Sequence, residues 1–258
     1  IYLMDIDNKF YEEASKNFNS DEKNKLARNA VTATKLEDII LNRELVQKHN
    51  RVFSNYIKIK TLPSNQKRSG RCWLFALCNM MRLKMIKAYK LHEPSDFELS
   101  PSYLFFFDVI EKSNFFLNQI CKFSDEDVNS RMNNLLLREP LSDGGNWNMI
   151  LNIVNKYGVV PKTSFDESFT TENTYNLNSF LCNKLRDYAF ALRNMDQKEQ
   201  KPFIEKCMHE VYRIAVIFMG EPPSKITWQF ISKNKYFITK SVTPLEFYKK
   251  FVPVNLND

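Results

Sequence analysis

The chain has 258 residues, 43% hydrophobic and 26% charged, with a formal net charge of +7. That excludes wholesale disorder and leaves room for one large domain or two small ones around a real core. Five glycines, far below the roughly 7% of average usage, argue against a turn-dense β-sandwich or a glycine-looped dinucleotide fold and favour long helices.

Residues 8–50 read as two or three polar, amphipathic helices, with Asn19 or Ser20 capping one and Thr34 another. The alternation VFSNYIKI from Val52 to Ile59 predicts a short strand. A loop, SNQKRSGR, then feeds into CWLFALCNMMRLKMIKAY, a segment apolar on every face in its first turns and so expected to be buried centrally. Ser100-Pro101 opens the next helix with a capping hydroxyl and a proline at its first position. After SDGGNW comes a helix, WNMILNIVNKY, stopped by Gly158. Two long helices follow, at about 172–194 and 199–219, the second ended by Gly220. A hairpin over ITWQFIS and KYFITKS, turning at Lys233-Asn234, leads to a short helix opened by Thr243-Pro244.

The densest apolar stretch, Tyr103 to Ile110, is short and contains Asp108, so no membrane span or membrane partner is expected. The five cysteines (Cys72, Cys78, Cys121, Cys182 and Cys207) form no CxxC pair, and their odd number cannot close a disulfide framework, which predicts a reducing, cytoplasmic setting. The chain starts at Ile1 without a basic-then-apolar leader, the pattern of a polypeptide missing its natural start. Basic residues are scattered as on a solvated face, although Lys67, Arg68 and Arg71 crowd one loop; weak attraction to nucleic acid is the alternative reading of that charge.

The most informative stretch is NQKRSGRCWLF, Asn65 to Phe75. A cysteine in the first turn of a helix meets unpaired backbone N–H groups and the positive end of the dipole, both of which favour thiolate, and Arg71 adds charge nearby. Gln66 offers an uncharged N–H donor that a loop containing Gly70 can fold back towards the sulfur. With the Cys72 backbone N–H it would make the two donors needed by the oxyanion of a tetrahedral intermediate. Cys78, Cys121, Cys182 and Cys207 read as ordinary core thiols. A redox or thiol-transfer role for Cys72 would need a resolving cysteine close in sequence, and there is none.

Gln66, the five-residue gap, Cys72 and Trp73 resemble the active-site signature of papain-like cysteine peptidases, and the full string resembles their bleomycin hydrolase branch. LSPSYLFFFD, DGGNWNMILNIVNKYGVVPK, FTTENT, MGEPPSKITWQF and TPLEFYKKF resemble further segments of that branch in the same order, from about Lys35 onward. The resemblance implies Cys72 as nucleophile and Gln66 as oxyanion donor. Gly70 and Trp73 would line the substrate site, and Gly144-Gly145 would be the segment whose backbone pairs with an extended peptide. It also implies peptide substrates, aminopeptidase action, no cofactor or metal, a homohexamer, and an association of the branch with DNA.

Such a nucleophile needs a histidine base and an orienting asparagine. The chain has three histidines. His92 lies about 30 Å from Cys72 if one straight helix joins them. His49 sits in a polar helix, and His209 lies mid-helix between Glu205 and Arg213 rather than after a turn into a strand. The expectation is therefore an α+β fold of the papain-like class, present as its predominantly helical half with a small hairpin. Residues 1–51 would be a helical arm and 52–258 the nucleophile-bearing domain with a helical insertion at about 172–220. The sheet-rich, barrel-like half would be missing, and the chain would be inactive alone.

Overall fold

The computed structural model describes residues 6–55, 57, 59, 61–92, 97–142 and 144–256. Two units form, Ile1–Ile57 and Lys58–Asp258. The first holds helices α1 (Asn8–Asn19), α2 (Glu22–Ala33), α3 (Leu36–Ile39) and α4 (Arg43–Lys48). Their starts differ from the expected caps. Asp7 and Asp21 cap α1 and α2, accepting from the N–H groups of Phe10 and Lys23. Ser20 and Thr34 instead close the ends of these helices, donating their N–H groups to the carbonyls of Lys16 and Ala30. Where Ser20 and Asp21 compete, the carboxylate adds attraction to the helix dipole that a hydroxyl lacks. None of the residues in these four helices is buried.

The strand expected over 52–59 does not form among the described residues of that stretch, where Val52 and Phe53 are 80% and 71% exposed. Alternation makes a strand only when a neighbouring strand completes the ladder, and none does so here.

The second unit is built around α6 (Pro101–Lys122), against which α5 (Cys72–Tyr89), α7 (Arg131–Arg138), α8 (Trp147–Tyr157), α10 (Tyr175–Arg193) and α11 (Gln197–Met219) pack. Ser100 starts α6 as expected, its Oγ accepting from the Tyr103 N–H at 3.0 Å. The helix buries Leu104, Phe106, Phe116, Leu117 and Ile120. On α10, Leu177, Leu181, Leu185, Ala189 and Leu192 form the complementary stripe at near-helical spacing. A short α9 (Phe169–Glu172) precedes α10.

Helix α8 ends at Gly158, whose φ of +75° no ordinary side chain adopts comfortably. A Cβ there would lie 2.2 Å from the carbonyl oxygen of Pro244, at the start of α12 (Pro244–Phe251). The glycine thus ends one helix and seats another. Thr243 and Glu246 close a capping box on α12.

Strands β1 (Gln229–Ser232) and β2 (Lys235–Ile238) form the expected antiparallel hairpin, with Phe230 opposite Phe237. Lys233 and Asn234 both take positive φ, 48° and 62°, the requirement of a turn whose twist matches the strands. The hairpin is fixed by aromatic contact: Trp228 stacks on Phe230 at 4.2 Å and meets Tyr89 of α5 edge-on at 5.0 Å.

Candidate active site

Helix α5 begins at Cys72 without a side-chain cap. The N–H groups of Leu74 and Phe75 reach back to the Arg71 carbonyl at 3.0 and 3.1 Å, which leaves those of Cys72 and Trp73 without a partner among the described residues. Of the five thiols, Cys72 alone is exposed. The helix is not buried on every face as its composition suggests. It buries Leu74, Leu77, Cys78, Met81 and Met85 and leaves Cys72 and Ala76, one turn apart, in solvent.

The other thiols differ in kind. Burial raises the pKa of Cys78 and pushes the Cys207 thiol up to about 11. Half-buried Cys121 and Cys182 are raised as well, again chiefly by burial.

The loop before Cys72 is tightly wired. Asn65 Oδ1 accepts from the Lys67 N–H at 2.8 Å, and Lys67 takes a φ of +54°. Gln66 and Ser69 bond reciprocally: Gln66 Nε2 donates to the Ser69 carbonyl at 2.6 Å, and Ser69 Oγ donates to the Gln66 carbonyl at 2.5 Å. The amide is therefore folded into the loop that ends at Cys72, with its second N–H left for another acceptor. The Arg68 N–H donates to the Glu172 carbonyl at 3.0 Å and ties the loop to α9.

Arg71 overturns a reading made from sequence. Its guanidinium is not a free charge beside the sulfur but a buried strut, 1% exposed. Nε donates to Ser69 Oγ at 2.9 Å, and Nη1 donates to Ser102 Oγ at 2.9 Å and Glu167 Oε2 at 2.8 Å. Burial lowers the Arg71 pKa while Glu167 pulls it back up, so its charge is balanced locally. The rings of Phe75 and Phe105 flank it at 5.2 and 5.8 Å. Nη2 is buried with no hydrogen-bond partner among the described residues.

Gly70 and Trp73, which flank Arg71 and Cys72 in the chain, are both half-buried. Trp73 brings in the glycine pair: a Cβ on Gly145 would stand 2.7 Å from its indole, so backbone and ring approach as only glycine permits. Gly144 has a φ of +132° and open space around it. Lys112, on α6, reaches the carbonyls of Ser142 and Gly144, both at 2.7 Å, and lies 5.5 Å from the Trp73 ring. Lys112, Ser69, Ser102 and Glu167 are not recognisable as site residues from sequence. A faint signal exists for one: Asp108 and Lys112 are a charged pair one turn apart, with Asp108 set in the apolar run Tyr103 to Ile110.

His92 follows the far end of α5, and His209 is exposed in the middle of α11. A cavity of about 670 Å³ borders the loop before Cys72, lined by Asn65, Lys67, Phe75, His92, Glu167 and Trp228 among others, but neither Cys72 nor Gly145 lines it.

An exposed cysteine at an uncapped helix start, a glutamine folded into the loop before it and a glycine pair against the following tryptophan belong together in one class of protein. The Peptidase C1-like family model matches residues 5–258, and the chain belongs to that family. Among curated proteins it is 41% identical over 243 residues to bleomycin hydrolase of Rattus norvegicus, covering 91% of this chain and 53% of that protein. It is 40% identical to bleomycin hydrolase of Homo sapiens, with the same coverage. With "Cysteine proteinase 1, mitochondrial" of Saccharomyces cerevisiae it shares 38% identity over 254 residues, 93% of this chain and 52% of the other. The crystal structure of PepW from Lactobacillus rhamnosis superposes with a TM-score of 0.91 at 32% identity, covering 100% of this chain and 58% of that one. The resemblance to the bleomycin hydrolase branch is thus confirmed, and the chain spans about half the length of the curated relatives it matches.

Proposed function

We propose that this chain carries the nucleophile-bearing half of a cysteine peptidase that hydrolyses short peptides and related amides, with aminopeptidase preference. One observation carries the reading: the exposed sulfur of Cys72 stands at the uncapped amino terminus of α5. Cys72 attacks the substrate carbonyl as thiolate. The developing oxyanion takes the Cys72 N–H and the second N–H of Gln66 Nε2, donors held in place before the reaction begins. Gly70 and Trp73 line the cleft, and the Gly144-Gly145 backbone pairs with the peptide. Collapse of the intermediate expels the amine and leaves an acyl-enzyme, which water hydrolyses.

The base and its orienting asparagine are not supplied by His49, His92 or His209 on this reading, and the 258 residues alone are expected to show no turnover. The exopeptidase preference and assembly into a homohexamer follow from the family resemblance, and the free thiols suit a reducing compartment such as the cytoplasm. No helix among the described residues is long and apolar enough to cross a membrane.

The test is Cys72→Ser in the full-length protein, assayed on an aminoacyl amide. Hydrolysis is expected to vanish while the fold persists. Retained turnover would remove Cys72 from the mechanism.

A further inference from the structure

Lys112 of α6 is almost enclosed, its side chain 11% exposed. An ammonium has three N–H donors. All three are used here: Asp108 Oδ2 accepts at 2.8 Å, the Ser142 carbonyl at 2.7 Å and the Gly144 carbonyl at 2.7 Å. Two of these acceptors are backbone atoms of the loop leading into α8, and the third anchors the ammonium to its own helix. The Trp73 ring stands on another side at 5.5 Å.

The Gly144 carbonyl shares a planar trans peptide group with the Gly145 N–H, and in such a group the two point in opposite directions. Holding the oxygen on Lys112 therefore turns the Gly145 N–H away from α6. That N–H makes no hydrogen bond among the described residues, and Gly145 is exposed. A charge-assisted bond to the oxygen also polarises the peptide group and strengthens the N–H as a donor. Gly145 packs on the indole of Trp73, the residue after Cys72, and this contact ties the ledge to the first turn of α5.

We propose that Lys112 is a positioning residue that aims and polarises the Gly145 N–H for the backbone of an extended peptide. This rests on the peptidase reading of Cys72. A lysine serving only as the ion-pair partner of Asp108 would affect folding stability and nothing specific to peptides.

The test compares two covalent reagents for Cys72 in the full-length protein: iodoacetamide, which needs only the sulfur, and a dipeptidyl fluoromethyl ketone, which also needs the ledge. In Lys112→Met the peptidyl reagent is expected to label about tenfold more slowly at low concentration, the scale of one hydrogen bond to ligand, with the loss in its binding constant. Iodoacetamide should keep its rate within about twofold. Because Met removes one partner of the Asp108 carboxylate, the double variant Asp108→Asn, Lys112→Met is measured beside it and should show the same selective loss. Equal slowing of both reagents, or no slowing of the peptidyl one, overturns the proposal. Failure of the peptidyl reagent to gain anything from its peptide in the unmodified protein overturns it too. A Cys72 inert to both reagents would instead overturn the peptidase reading itself.

Discussion

Replacing Arg71 with methionine tests whether the loop before Cys72 is held by a buried charge. The side chain keeps most of its volume between Phe75 and Phe105 but loses its hydrogen bonds to Ser69, Ser102 and Glu167. Breaking a buried pair by removing one partner costs about 3–5 kcal/mol, because a charge is left uncompensated. Two features reduce the figure. Glu167 is 13% exposed and retains the Thr171 hydroxyl at 2.7 Å, and the buried Nη2, which has no partner to lose among the described residues, disappears with the guanidinium. We therefore expect a loss of about 3 kcal/mol in urea unfolding followed by circular dichroism, with the melting temperature lower by about 6–12 °C. In the full-length protein the freed Ser69 should also loosen Gln66 and lower kcat more than it raises KM. Adding Glu167→Gln removes the stranded acid and should recover about half of the lost stability. An Arg71→Met protein within about 0.5 kcal/mol of the parent, or a double variant no more stable than the single one, would refute the reasoning.

Gly158→Ala should cost about 2–4 kcal/mol, since the residue has a positive φ and its new methyl meets the Pro244 carbonyl at 2.2 Å. Limited proteolysis should then cut earliest just before α12, and unchanged resistance there would contradict the close approach. For Glu111, burial pushes the carboxyl up, but hydrogen bonds from Lys156 and Tyr157 and the Lys156 charge outweigh it and hold the pKa below 4.5. A depressed carboxyl stabilises the fold above its unfolded pKa and loses that contribution as pH falls through the folded one. Glu111→Gln should therefore narrow the gap between stability at neutral pH and at pH 3, read from urea midpoints, and an unaltered acid limb would count against the pair.

Much of the fold could be read locally. Ser100-Pro101, Thr243-Pro244, Gly158, Gly220 and the Lys233-Asn234 turn each act through bonds or dihedrals within about four residues, and each stands where expected. Readings failed where two local solutions compete, as at Ser20 and Asp21, or where a distant partner was assumed, as for the strand at 52–59. Arg71 failed for the opposite reason: the local reading left out its partners Ser102 and Glu167, which lie 31 and 96 residues away.

The order of residues alone determined that a cysteine would open a helix behind a glutamine-bearing loop, and that a glycine pair would precede another helix, because caps, glycines and apolar periodicity act at short range. Only the packed chain decided that Arg71 is a neutralised strut, that Gly145 lies on Trp73, and that Lys112 clasps the Gly144 carbonyl. Those arrangements join segments about 30 to 100 residues apart, and in such contacts burial and donor geometry, which no local pattern encodes, set the partner.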